Sequence, residues 1–239
     1  MEIKIIPCLQ DNYSYLIIDN ENNTACVIDP SEAAPVIRYL ENNKIKLKFI
    51  LNTHHHYDHV GGNQELKRKY GASIIGYRGD KERIPQIDIL INDQETWIHD
   101  NFEAKIIYIP GHTLGHICFY FYKEESVFTG DTLFSLGCGK IFEGTYSQMF
   151  DSLIKLKQLP VSTKIYCGHE YTKKNSDFCA VHDANNENLK AKIHDIDMRL
   201  KNGLPTIPST MKDELECNIF LRSSNVEAFS KLRDLKDNF

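Results

Sequence analysis

The sequence has no run of about 18 or more apolar residues, which excludes a membrane-spanning helix. It has no excess of basic charge. Lys and Arg number 28 against 33 Asp and Glu, a net charge of −5, whereas a general nucleic-acid binder carries a basic balance. It has no internal repeat, no low-complexity tract, no Gly-rich phosphate loop and no evident Ser-His-Asp arrangement. The start, Met1 to Pro7, lacks the long apolar stretch and small-residue cleavage site of a signal peptide and reads as a mature N-terminus. The seven cysteines are odd in number and irregular in spacing. That pattern argues for free or buried thiols in a reducing compartment, so a cytoplasmic location is expected.

What is present is an ordinary globular composition: 239 residues, 41% hydrophobic and 26% charged. This length allows one large domain, or one domain plus a small appendage. Short β-branched or aromatic runs at 3–7, 13–18 and 25–28, separated by turn residues, predict a strand meander. Val36, Ile37 and Leu40 predict a surface helix, and 47–51 a further strand that ends in a polar cluster. A Lys- and Glu-rich helix over 64–70 follows, with Gly71 at its C-cap position. Strand patterns return at 73–76, 105–109, 117–122 and 126–128. Met149, Leu153, Leu156 and Leu159 form a helical stripe closed by Pro160, and 164–167 is a last strand. This order predicts a layered α/β architecture over 1–170. Beyond residue 170 the strand signal stops. Stripes at Leu189, Ile193, Ile196 and Leu200, and from Val226 to Leu235, predict a helical domain over 171–239.

The chemistry concentrates in Thr53-His54-His55-His56-Tyr57-Asp58-His59-Val60-Gly61-Gly62, directly after an apolar strand. His54 and His56 are two apart and project to one side of an extended backbone, whereas His55 and Tyr57 point away. Asp58 and His59 come where the chain turns into a helix. Imidazole and carboxylate together suit Zn, Fe or Mn. A metal needs further ligands, and three places offer them: Gly111-His112, Gly130-Asp131 and Gly168-His169, each just past a predicted strand and beside a glycine that permits a tight turn. His116, inside the next strand, reads as a supporting residue. His99, His182 and His194 lie outside such contexts. Seven candidates result. One ion would take His54, His56, His112 and Asp131. The other would take Asp58, His59, His169 and Asp131, the two-oxygen carboxylate bridging both. Two ions ~3.5–4 Å apart would share a hydroxide at neutral pH, which implies hydrolysis.

These motifs, with T-G-D-T-L-F over 129–134 and G-H-E-Y over 168–171, resemble the metallo-β-lactamase superfamily in its usual order, and most closely the glyoxalase II family of hydroxyacylglutathione hydrolases. The likeness extends to Gly137–Thr145, to Asn218-Ile219-Phe220-Leu221-Arg222 and to Arg233-Asp234-Leu235-Lys236-Asp237. The resemblance implies an αββα sandwich with a C-terminal helical, glutathione-binding domain. It implies hydrolysis of S-D-lactoylglutathione to glutathione and D-lactate, the second step of methylglyoxal detoxification, on two divalent metals, zinc first. It maps glutathione contacts onto Lys140, Tyr171, Arg233 and Lys236, with Asp58 orienting the hydroxide. A monomer is expected. At Phe142 the family often has Tyr, so one hydroxyl contact would be missing there. The other activities of this fold that the motifs allow are a glutathione persulfide dioxygenase, with one iron, and other superfamily hydrolases.

Overall fold

The computed structural model describes residues 1–239. The chain forms two compact units: Met1–Tyr108 with Gly115–Glu124, and Ile109–Leu114 with Glu125–Phe239.

The first unit holds β1 (Glu2–Cys8), β2 (Asn12–Asp19), β3 (Thr24–Ile28), α1 (Ala33–Asn42), β4 (Lys46–Leu51), the single turn α2 (Tyr57–Val60), α3 (Asn63–Tyr70), β5 (Ser73–Tyr77), β6 (Ile89–Ile91), β7 (Thr96–His99), β8 (Phe102–Tyr108) and β9 (Ile117–Phe121). Strands β1 to β6 form one sheet in chain order. β1, β2 and β3 pair antiparallel, as the meander predicts, and β3 to β6 pair parallel. Val36 and Leu40 of α1 and Leu66 of α3 bury against Leu16, Ile18, Val27, Ile50 and Ile74 of that sheet. Each such side chain contributes roughly 1.5–3 kcal/mol on leaving water. Antiparallel β7, β8 and β9 form a second ladder. Phe49 of β4 meets its Trp97 edge-on at 5.2 Å and Phe102 at 6.1 Å.

Parallel strands put their C-terminal ends, and the loops that follow, at one edge, which is where α/β sheets build sites. Here that edge carries Asp29 after β3, the histidine loop after β4 and Asp80 after β5.

The second unit holds β10 (Ser126–Gly130), β11 (Leu133–Phe134), β12 (Gly137–Cys138), α4 (Tyr146–Lys157), β13 (Lys164–Cys167), α5 (Thr172–His182), α6 (Glu187–Lys201), β14 (Ser209–Thr210), α7 (Met211–Cys217) and α8 (Val226–Asp237). β10 pairs parallel with β13, with Gly130 opposite Cys167, so the residues after both strands emerge at one edge. Thr145 and Gln148 close a capping box on α4, and its Met149, Leu153 and Leu156 are buried as the stripe predicts, while Leu159 lies past the helix end and is half-buried. Phe229 of α8 packs on Phe150 at 5.9 Å and Phe220 at 6.1 Å. Terminal Phe239 meets Phe178 edge-on at 5.3 Å.

One expectation is corrected. Strand structure does not end before residue 170, because β14 pairs antiparallel with β13, Ser209 opposite Ile165. Two residues carry no alternation that could announce a strand, and their pairing partner defines them. All seven cysteines are free and buried, and no helix is long and apolar enough to cross a membrane.

Candidate metal centre

In the first unit β4 delivers the chain into a buried corner. Asp29, ending β3 with a positive φ of 47°, accepts the Thr53 backbone N–H at 2.8 Å and the Thr53 hydroxyl at 2.6 Å. His59 Nδ1 lies 3.0 Å from the same carboxylate. Asn52 and Asn63 exchange amide hydrogen bonds, and Asn52 also donates to the His59 carbonyl at 3.2 Å. These contacts fix both ends of the loop. Within it the His54 ring is 4.7 Å from that of His56 and 4.2 Å from that of His59, and it stacks on His116 at 4.5 Å. Asp58 is held by Asn12, whose amide donates to its Oδ2 at 3.0 Å and to its carbonyl at 3.2 Å. His55 turns instead to buried Asp80, Nδ1 to Oδ2 3.3 Å, and Arg83 pairs with the same carboxylate. Tyr57 is 81% exposed. Both lie outside the donor cluster, as their register predicts.

The hydrogen bonds dictate tautomers. The one proton of the Thr53 hydroxyl goes to Asp29, so Thr53 Oγ1 accepts from His54 Nδ1–H across 3.0 Å. His59 Nδ1 donates to a carboxylate that can only accept. In the second unit His112 Nδ1 donates to the Lys140 carbonyl at 2.7 Å. All three imidazoles therefore carry their lone pair on Nε2, the outer-partner arrangement that prepares histidine for a cation.

What Nε2 faces is another electron-pair donor. His59 Nε2 is 3.7 Å from Asp58 Oδ2, and His112 Nε2 is 3.5 Å from Asp131 Oδ2. His169 Nε2 is 3.2 Å from that same Asp131 oxygen. A neutral imidazole lone pair and a carboxylate oxygen repel at these distances, and a divalent cation reconciles them. The donors present fit zinc, iron or manganese.

Two of the second-unit donors, Asp131 and His169, are set by parallel β10 and β13. Asp131 follows Gly130, whose φ is 48°, and Gly168 N–H donates to the Gly130 carbonyl at 2.9 Å. His112 follows Gly111, where φ is 151° and an added Cβ would lie 2.8 Å from the Met149 backbone. The structure thus groups His54, His56, Asp58 and His59 in the first unit and His112, Asp131 and His169 in the second.

The residues expected to meet substrate lie in the second unit. Lys140 is exposed, its Nζ 5.9 Å from the centre of the Phe142 ring, and Phe142 is 63% exposed. Tyr171 stacks on His169 at 4.7 Å. Lys236 donates to the Lys174 carbonyl at 2.9 Å and lies over Phe178 and Phe239. Burial, then the nearby Arg233 charge, holds Lys236 below the usual lysine range. Arg233 is buried. It donates to the Cys138 carbonyl at 2.7 Å and to Asp237 at 3.0 Å, over the Phe220 ring.

Asp29 and Thr53 are not among the candidates the sequence offers; an acidic residue directly after a strand was the available signal for Asp29.

A model of the metallo-β-lactamase superfamily matches residues 10–169, and one of the hydroxyacylglutathione hydrolase C-terminus matches 170–239. The chain is 76% identical over 239 residues to a hydroxyacylglutathione hydrolase of Pelagibacter ubique (strain HTCC1062), covering 100% of both. It is 43% identical over 253 residues to a hydroxyacylglutathione hydrolase of Rhodospirillum rubrum, covering 100% of this chain and 99% of that one. Among solved structures, the BLEG-1 B3 metallo-β-lactamase superposes with a TM-score of 0.74 at 20% identity, covering 93% of this chain and 100% of that one. ETHE1 from Myxococcus xanthus superposes with 0.75 at 22%, covering 98% and 90%. The structural matches establish the fold.

Proposed function

Because this chain belongs to the hydroxyacylglutathione hydrolase family of the metallo-β-lactamase superfamily, we propose that it hydrolyses S-2-hydroxyacylglutathiones, S-D-lactoylglutathione above all, to glutathione and the free hydroxy acid. The observation that carries the hydrolytic chemistry is the set of imidazoles whose tautomers are fixed by Thr53, Asp29 and the Lys140 carbonyl.

We assign His54, His56, His112 and Asp131 to one divalent ion and Asp58, His59, His169 and Asp131 to a second, zinc before iron or manganese. When bound, such a pair supplies an acidified water and positive charge beside the acyl oxygen. The chain's own groups do the remaining work. Asp29 and Thr53 keep protons on the Nδ1 side of His59 and His54. Asp58, tethered by Asn12, orients the attacking water. Lys140, Lys236 and Arg233 receive the two glutathione carboxylates, with Tyr171 and Phe142 beside them, so residues 171–239 serve as the glutathione-binding domain to a hydrolase domain over 1–170. The departing thiol has an ordinary pKa of about 8.5 and leaves as thiolate without a strong acid. Seven free cysteines support work in the cytoplasm, and we assign it to a monomer.

The test is turnover of S-D-lactoylglutathione with metal counted per chain and mass measured by light scattering. About two metals with thiol release support the proposal. Oxygen uptake on glutathione persulfide with one iron, and no thioester cleavage, overturns it.

A further inference from the structure

The hairpin of β11 and β12 runs between Asp131 and Lys140, and its strands are two residues each, too short to hold themselves. Its turn residue Leu136 sits at a φ of 57°, where a leucine is strained. Side chains from later in the chain address five consecutive backbone units. Asn218 Nδ2 donates to the Phe134 carbonyl at 3.4 Å and the Gly137 carbonyl at 3.0 Å. Asn175 Nδ2 donates to the Ser135 carbonyl at 3.0 Å. The Leu136 N–H donates to Glu214 Oε2 at 2.9 Å, while Cys179 Sγ donates to its carbonyl at 3.3 Å. Arg233 donates to the Cys138 carbonyl at 2.7 Å.

Asn218 is the hub. It is fully buried, its amide also donates to Glu214 Oε2 at 2.9 Å, and its own oxygen accepts the Phe220 N–H at 3.0 Å. Glu214 is fully buried as well. The two ends of the hairpin are pressed together. Gly139 N–H donates to the Thr132 carbonyl at 3.1 Å, and a Cβ on Gly139 would lie 1.9 Å from the Asp131 carbonyl oxygen. The Lys140 carbonyl in turn fixes the tautomer of His112. A shift of the hairpin therefore moves Asp131, His112 and Lys140 together.

We propose that Asn218, backed by Glu214, is a positioning residue for the reaction: by clamping the Phe134–Cys138 backbone it sets the placement of Asp131 and His112 on one side and of Lys140 on the other. This rests on the reading of Asp131 and His112 as metal ligands and Lys140 as a substrate contact. Neither Asn218 nor Glu214 touches metal or substrate. Their effect passes through backbone, so one substitution perturbs metal retention and substrate affinity at once.

The experiment compares full-length wild type with Asn218→Ala, Glu214→Gln and Leu189→Ala. The last is a buried α6 substitution that lowers stability without removing any hydrogen bond to the hairpin. Zinc retention is read by competition with a chromophoric chelator, and kcat and KM on S-D-lactoylglutathione are read well below each melting temperature. Asn218→Ala should hold zinc about tenfold or more weakly and raise KM about threefold. Leu189→Ala should leave both as in wild type at matched loss of melting temperature. Glu214→Gln keeps the shape but, above the pH at which the buried carboxyl ionises, replaces a charge-assisted acceptor with a neutral one, so measured there it should move both quantities the same way by less. If Asn218→Ala folds and keeps wild-type zinc retention and KM, or if Leu189→Ala reproduces its losses, the proposal is overturned. If Asn218→Ala does not fold, an unchanged Glu214→Gln overturns it. A wild type that takes up no zinc and cleaves no thioester overturns the underlying reading instead, a result separate from wild-type behaviour in an active series.

Discussion

Asp29 Oδ2 lies 3.0 Å from His59 Nδ1, although thirty positions of chain separate the two. The same oxygen takes the Thr53 hydroxyl, whose oxygen then accepts from His54. One buried carboxylate thus sets the protonation pattern of two histidines. In Asp29→Asn an amide can face His59 Nδ1 and drive its proton to Nε2. Metal affinity should fall about 10- to 100-fold, read by chelator competition. Unchanged affinity would show that His59 needs no such partner.

Lys236 and Arg233 share a helix face but not an environment. Lys236→Ala should raise KM for the glutathione thioester and leave kcat within about twofold. Arg233→Ala also strips the Cys138 carbonyl of its donor, so it should lower melting temperature and kcat as well as raising KM. Steady-state kinetics at saturating metal separates the two. Identical profiles would contradict this division.

Burial pushes the Glu214 carboxyl up to about 7 from an ordinary 4.5, despite donors from Asn218, Ser209 and the Leu136 backbone and the distant cation of Lys192; the Cys179 and Cys217 thiols also face it. The folded chain holds this proton more tightly than the unfolded one. Its contribution to stability is complete below about pH 4.5 and is lost as pH rises to about 7, on the order of 3 kcal/mol. Glu214→Gln does not titrate. Its stability relative to wild type should therefore climb across that window and level off above it. Denaturant melts of the metal-stripped proteins at several pH values measure this, and a constant difference would refute it.

Phe142 presents a ring 63% exposed, 5.2 Å from the ring of His112. Phe142→Tyr adds a hydroxyl at the edge of that exposed ring. One net hydrogen bond of roughly 0.5–1.5 kcal/mol should lower KM about 2- to 12-fold with kcat little changed. A KM that rises instead would mean the ring's apolar edge is what substrate meets.

The donors that follow apolar strands were legible in the sequence because strand end and donor sit close together in the chain. His54, Asp131 and His169 are of this kind, the last two with a glycine beside them. The meander, β4, β5 and α4 were legible from the local pattern alone, whereas β6 and the parallel pairing were not. Asp29 was not, because its partners Thr53 and His59 are brought to it only by the parallel pairing of β3 with β4. The pairs β11–β12 and β13–β14 were not, since two-residue strands have no period and exist through side chains such as Asn218 or through a neighbouring strand. The engagement of Arg233 was hidden for a similar reason. A basic residue on an amphipathic helix reads as solvent-facing until a carbonyl 95 positions away is known to lie under it.

The burial of every cysteine has a consequence for a catalyst that discharges a thiol at each turnover. Desolvation pushes the Cys8, Cys26, Cys138, Cys167, Cys179 and Cys217 thiols up, suppressing the thiolate that exchange chemistry requires. A disulfide made from that released thiol by an outside oxidant would therefore find no exposed cysteine on the folded protein to exchange with.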